Sequence, residues 1–159
     1  MLQLWTLLAM SDTAKISTTI QQGATYRAAW RRGAYPYPVK LQGGQLVRSD
    51  TGQAAAPADF VLVDYTGCTA RMQLRAEVQA PEVLLEFSTT PTPEQGLIEL
   101  GSDGLMALGL TAEQTAALPW GDGPGQWARA IGHLEVTYPD GTVRREYEVR
   151  FTLSPEVTR

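Results

Sequence analysis

The chain has 159 residues, of which 43% are hydrophobic, and its 13 basic and 17 acidic side chains give a formal charge of −4. This length fits one domain that buries a substantial core. The mild acidity argues against binding to a nucleic-acid backbone, and the single cysteine excludes a framework of internal disulfides. Fifteen glycines and ten prolines beside few helical segments favour an all-β fold.

The first ten residues are apolar, but they lack the basic start of a signal peptide and the length to span a bilayer. Residues 1–12 are predicted to form an N-terminal arm. Three interpretations stay open: an arm that docks on a neighbouring protein, a first strand of the domain, or an upstream start before a true start at Met10. Core packing is an equal alternative for the tryptophan. The candidate partner contacts in this arm are Leu4, Trp5, Leu7 and Leu8.

A single β-sandwich domain is predicted over 13–159, and it begins with strands at 14–21 and 25–31. Residues 32–58 are rich in glycine and proline and are predicted to form a long inserted loop with one short edge strand at 45–49. Loops of this length are usually functional or disordered, and both alternatives stay open. Four candidate partner contacts lie at its start, although a solvated strand end is an equal explanation for the two arginines: Arg31, Arg32, Tyr35 and Tyr37.

Further strands are predicted at 69–78, 83–88, 96–100 and 105–110, each bounded by turn residues. In the first of them alternate residues are apolar, so one face is expected to lie against a core. The inward set is Ala70, Met72, Leu74, Ala76 and Val78, and the next strand adds Val83, Leu85 and Phe87. Eight or nine short strands with regular turns are typical of a β-sandwich.

One short helix is predicted over 110–118, where Thr111 is the N-cap and Gln114 occupies the capping-box position. A long hairpin follows and is closed by Pro139-Asp140-Gly141. Its second arm alternates from 143 to 153, with apolar residues on one face. The polar face is Arg144, Glu146, Glu148, Arg150 and Thr152.

The chain shows no pattern typical of catalysis, metal binding or cofactor binding. Cys68 is expected to be a buried, inert thiol and His133 a solvent-facing strand residue. An enzyme such as a glycan hydrolase would need paired carboxylates. The best candidates, Glu77, Glu86 and Glu99, lie on strands without converging partners, so the enzyme hypothesis is disfavoured.

Residues 64–159 resemble small proteins encoded in the structural gene clusters of tailed bacteriophages. The resemblance is carried by the strand at 67–75, the helix Leu-Thr-Ala-Glu-Gln-Thr-Ala-Ala-Leu-Pro at 110–119, and the hairpin Leu-Glu-Val-Thr-Tyr-Pro-Asp-Gly-Thr-Val-Arg-Arg at 134–145. More distantly, the chain is similar to the immunoglobulin-like N-terminal domains of phage baseplate and fibre proteins. The resemblance implies an immunoglobulin-like β-sandwich. The apolar start and the insertion at 32–58 depart from the pattern.

The resemblance further implies a virion structural protein of the phage tail, baseplate or tail-fibre attachment, made in the host cytoplasm and acting through protein–protein contacts. We expect it to contact other virion proteins and to form a homo-oligomer in the particle, without nucleic acid or membrane as partner. A capsid decoration protein on the phage head is the alternative. Copy number and symmetry distinguish the two.

Overall fold

The computed structural model describes residues 5–7 and 13–157, the first three through their backbone alone. This part of the chain is mostly β-structure, with a single short α-helix and a 3-10 turn at Pro57–Asp59. None of its helices has the length and apolar character needed to cross a lipid bilayer. In chain order the elements are β1 (Trp5–Leu7), β2 (Ala14–Gln21), β3 (Tyr26–Ala34), β4 (Val39–Gln42), β5 (Gln45–Arg48), β6 (Val61–Leu62), β7 (Thr69–Arg75), β8 (Leu85–Ser88), β9 (Gly96–Leu100), β10 (Leu105–Leu110), α1 (Ala112–Ala116), β11 (Arg129–Thr137) and β12 (Val143–Ser154).

One large curled sheet forms the body of the protein. Its strand order is β1-β3-β10-β9-β8-β7-β11-β12-β2, and β6 also pairs with β3. Most neighbours are antiparallel, but β1 with β3, β8 with β9, and β2 with β12 are parallel. A small second sheet consists of β4 and β5. The all-β prediction is confirmed.

The curl of the sheet encloses an aromatic and aliphatic core. Phe151 of β12 stacks on Phe87 of β8 with 6.0 Å between ring centroids, and it also lies 6.5 Å from Tyr26 of β3. Trp30 of β3 meets Tyr147 of β12 at 6.2 Å. Strands far apart along the sheet therefore share one interior, as the alternating sequence pattern predicts.

The predicted strands at 14–21, 96–100 and 105–110 are confirmed with their boundaries. The strand predicted at 69–78 ends earlier, at Arg75, so the inward placement of Ala76 and Val78 is wrong. Both are exposed, Val78 by 60%. The reason is the Arg75 guanidinium, which donates to the carbonyls of Ala80 and Pro81 and holds the chain in a turn. Val83 is likewise 38% exposed, because β8 begins only at residue 85.

The helix is present but shorter than the predicted 110–118, since it spans Ala112–Ala116, and its capping box is confirmed. The Thr111 hydroxyl accepts a hydrogen bond from the Gln114 amide at 3.1 Å, and the Gln114 side chain accepts one from the Thr111 amide at 2.9 Å. Thr115, fully buried, donates to the Ala24 carbonyl at 2.8 Å and so joins the helix to the turn between β2 and β3. The helix thus covers one end of the core.

The predicted hairpin is also present, with a register shift that the sequence pattern does not reveal. β11 and β12 pair regularly until Leu134 faces Tyr147, but the next residue, Glu135, faces Arg145. Glu146 is the extra residue of a β-bulge, which turns it and Tyr147 toward the interior. Its exposure is 4%, so the prediction that Glu146 lies on the polar face is wrong.

Residues 32–58 contain more secondary structure than the sequence predicts. β3 continues to Ala34, and β4 and β5 form a hairpin whose turn is Gly43-Gly44, both with positive φ. After the 3-10 turn, β6 returns to pair antiparallel with Gly33 and Ala34. The insertion is therefore a small hairpin anchored at both ends to β3.

Candidate functional site: a cleft beside a buried ion pair

Arg32 and Glu146 form an ion pair inside the protein. Nε of Arg32 lies 2.8 Å from Oε2 of Glu146, and the two side chains are only 6% and 5% exposed. The Arg32 guanidinium also donates to the Glu146 carbonyl oxygen. β3 supplies the arginine and the bulge in β12 supplies the glutamate, so two distant strands are joined by charge.

Tyr138 completes this network. Its hydroxyl donates to Oε1 of Glu146 at 2.5 Å, so that both carboxylate oxygens have partners. Burial, followed by this hydrogen bond, raises the pKa of the Tyr138 phenol. Isolated buried charges are costly, and a network with these partners offsets much of the desolvation. The phenol therefore acts as a fixed donor.

An apolar cleft of about 420 Å³ opens beside this network. Glycine at position 33 is needed for its shape, because a Cβ there would lie 2.5 Å from the Phe60 ring and 2.7 Å from the Val61 carbonyl oxygen. The insertion therefore packs directly on the β3 backbone. The cleft is lined by Arg32, Gly33, Ala34, Tyr35, Pro36, Val61, Leu62, Val63, Tyr138, Arg144 and Glu146.

An aromatic ledge, which we define as Tyr35, Tyr37 and Phe60, borders the cleft. The two tyrosine rings stack with centroids 5.5 Å apart, and Tyr35 meets Phe60 edge-on at 5.4 Å. The Arg48 guanidinium lies 4.1 Å from the centre of the Tyr37 ring. Tyr37 also donates to Asp59 at 2.7 Å. The ledge rings are thus held in place while each tyrosine stays partly exposed.

Local charges strengthen the ledge. Arg48 donates to both carboxylate oxygens of Asp50, at 3.0 and 2.9 Å, and this contact lowers the pKa of Asp50. Desolvation and the hydrogen bond to Asp59 raise the pKa of Tyr37. The Arg48 guanidinium is therefore held by the Asp50 carboxylate while it lies over the Tyr37 ring, which is a favourable cation–π arrangement.

The structure brings some of the predicted contact residues together and separates others. Arg32 and Tyr35 both line the cleft, and Tyr37 stacks on Tyr35. Arg31 instead pairs with Asp103, with 2.8 Å between Nη2 of the arginine and Oδ2 of the aspartate. Arg32 is an internal ion-pair residue, which corrects its interpretation as a solvated strand end; its contact with a partner stays a prediction.

The predicted N-terminal contacts fall largely outside the description. Leu4 and Leu8 lie beyond the described residues, and Trp5 and Leu7 are described only by the backbone of β1. That backbone runs parallel to β3, with Trp5 opposite Arg31 and Leu7 opposite Gly33.

Most residues that line the cleft were not predicted as contacts, among them Glu146, Tyr138, Val61 and Leu62. Glu146 was hidden because a bulge leaves no mark in an alternating pattern. The role of Tyr138 was hidden with it, because its hydroxyl donates to Glu146. Val61 and Leu62 belong to β6, a two-residue strand too short for any periodicity. One available signal was Arg32, a charged residue that continues the strand face of Tyr26, Ala28 and Trp30.

The carboxylates weighed for catalysis do not converge on the cleft. Glu99 pairs with Arg27 at 2.7 Å, Glu86 accepts hydrogen bonds from two glutamines, and Glu77 is exposed. His133 lies 3.6 Å from a Glu148 oxygen and is partly buried, rather than fully solvent-facing.

Cys68 is partly buried, and desolvation is the largest cause of its raised pKa. Within the described ranges, no group of histidine, cysteine, aspartate and glutamate side chains has the arrangement to hold a metal ion. Comparison with protein-family models and with curated proteins found no match to this chain.

Proposed function

We propose that this protein is a structural component of a bacteriophage virion, an adaptor of the tail, baseplate or tail-fibre attachment that acts through protein–protein contacts. The observation that supports this most is the aromatic ledge beside the apolar cleft. Tyrosine and arginine side chains around an apolar pocket are the groups that usually dominate the energy of protein interfaces. Because the ledge is already fixed by its own contacts, binding there would cost little side-chain entropy.

The strand order supports the finer proposal of an immunoglobulin-like sandwich. In that fold, three central strands named C, F and G form one sheet and strands B, E and D belong to the other. By chain order and pairing, β7, β11 and β12 correspond to C, F and G, and β3, β10 and β9 correspond to B, E and D. The helix α1 then connects the strands equivalent to E and F. Such domains are frequent attachment modules, which agrees with the resemblance to phage baseplate and fibre domains.

The ledge gives this proposal a direct test. Phage particles assembled with the Y35A variant should incorporate less of the protein than wild-type particles, because Tyr35 joins the ledge to the cleft. The matched control is L41A, in the same insertion, where the leucine is 73% exposed. Wild-type incorporation of a folded Y35A protein would contradict the role of the ledge.

The N-terminal arm needs a separate experiment. If residues 1–9 dock on a neighbour, their deletion should leave the fold intact and prevent incorporation into particles. Normal incorporation of the truncated protein would refute the docking arm, and loss of folding would identify the segment as part of the domain. Circular dichroism of the purified variant distinguishes these outcomes.

A further inference from the structure

β2 is a long edge strand with little protection against pairing. It stands at the end of the main sheet and pairs with β12 through eight consecutive residues without a register shift. Natural edge strands are usually short, bulged, or interrupted by proline or charge. The strand AKISTTIQ has no proline and a single charged side chain, Lys15. No other described strand pairs with its outer side.

The hydrogen-bond direction shows which backbone groups remain available. The Gln22 amide donates to the Ser154 carbonyl at 2.9 Å, continuing the ladder between β2 and β12. Backbone amides and carbonyls alternate in direction along a strand. In β2 those of the even-numbered residues therefore point toward β12, and those of the odd-numbered residues point away from it. The outward set also has exposed side chains: Lys15, Ser17, Thr19 and Gln21.

We propose that β2 pairs antiparallel with β2 of a second copy of this chain, about a two-fold axis at Thr18. In this register Lys15 faces Gln21, and Ser17 faces Thr19, so outward amides meet outward carbonyls. The Gln21 carbonyl is the exception, because it already accepts a hydrogen bond from the Ala24 amide at 3.2 Å. The two Lys15 side chains are six residues apart along the strand, roughly 20 Å, and do not repel each other. Hydroxyl residues facing one another are favourable cross-strand pairs.

This inference goes beyond the proposed function, since it concerns the purified chain and does not require a virion. An isologous pair joins the two main sheets edge to edge and leaves the cleft and the aromatic ledge outside the contact strand. The occupant that we infer for this edge is a second copy. Its β2 presents outward amides and carbonyls in the same positions and has one charged side chain, so the strand is complementary to itself in this register.

The register is tested with paired charges. The S17E/T19E variant places glutamates opposite each other twice, whereas S17E/T19K places opposite charges there. Sedimentation velocity over a range of concentrations should give a dimer for the wild type and S17E/T19K. The dissociation constant of S17E/T19E should be weaker by roughly tenfold. T51E/Q53E adds the same net charge in the insertion, outside β2, and should dimerise like the wild type.

Backbone measurements complete the test. S17P removes an outward amide that β12 does not use, so the variant should fold yet remain monomeric, whereas S17A should dimerise. In the wild type, exchange of the Lys15, Ser17 and Thr19 amides should slow as concentration rises. A wild-type monomer at all concentrations would overturn the proposal, as would a dimer insensitive to S17E/T19E. Protection of these amides only by another protein would also overturn it.

Discussion

Glu146 and Arg32, 114 positions apart in the sequence, face each other inside the protein with 2.8 Å between the charged atoms. The β-bulge in the terminal hairpin makes this possible, because it turns a residue from the polar face of β12 inward. The pair joins the bulge to β3 at the point where the insertion leaves the sheet. One local irregularity thus determines where the cleft forms.

Removing one partner of this pair should be strongly destabilising. E146A leaves the Arg32 guanidinium buried without its carboxylate, and the free energy of unfolding should fall by about 3–5 kcal/mol. Urea denaturation followed by tryptophan fluorescence measures the change. The R32M single variant leaves the Glu146 carboxylate buried without its guanidinium, and its free energy of unfolding should fall by a similar amount.

The double variant R32M/E146M is the control for this prediction. Buried ion pairs are often replaced by hydrophobic residues without net loss, so the double variant should recover most of the stability lost in either single variant. Additive losses in the double variant would show that the pair is not coupled as the geometry requires.

Adding a methyl group at Gly33 should separate the insertion from the main sheet. The new Cβ would press on Phe60 and on the Val61 carbonyl, so G33A should cost about 1–3 kcal/mol. Near-ultraviolet circular dichroism should also change, because the Phe60 ring contacts Tyr35. G43A is the comparison, since a Cβ at Gly43 meets no atom within 4 Å, although its positive φ adds some strain. An unchanged aromatic spectrum in G33A would contradict this packing.

The sequence was most informative where structure is local. Strands 14–21, 96–100 and 105–110 follow directly from period-two alternation, and the capping box follows from Thr111 and Gln114. The inward position of Glu146 could not be predicted, because it depends on how two strands slip against each other. The cleft was equally hidden, since β6 is recognisable only through its pairing with β3.

The capping box contributes measurably to stability. T111A removes the hydroxyl that accepts from the Gln114 amide, so unfolding should become easier by about 1 kcal/mol. T111S keeps an acceptor at the same place and should lose much less. Equal losses in both variants, by thermal or urea denaturation, would mean that the methyl group rather than the cap matters.

The pair between Arg31 and Asp103 should be visible as a pH dependence. The Arg31 side chain holds the pKa of Asp103 below its ordinary value of 3.8. The carboxylate therefore stabilises the fold above that pH, and this contribution disappears as pH falls through the lower folded-state pKa. D103N should be less stable than the wild type at neutral pH, with a difference that shrinks toward zero in acid.

The control for that experiment is D122N, at an exposed aspartate in the glycine-rich corner before β11. It should follow the wild-type curve across the same range. A stability difference for D103N that persists at the lowest pH would assign the effect to something other than the charge of Asp103.

The most direct test of the proposed function is imaging of intact phage particles at residue resolution, to locate this chain and count its copies. The proposed adaptor role predicts a small ring of copies at the tail, the baseplate or the fibre junction, with the aromatic ledge against a neighbouring subunit. Absence of the chain from particles, or hundreds of copies on the shell, would contradict it.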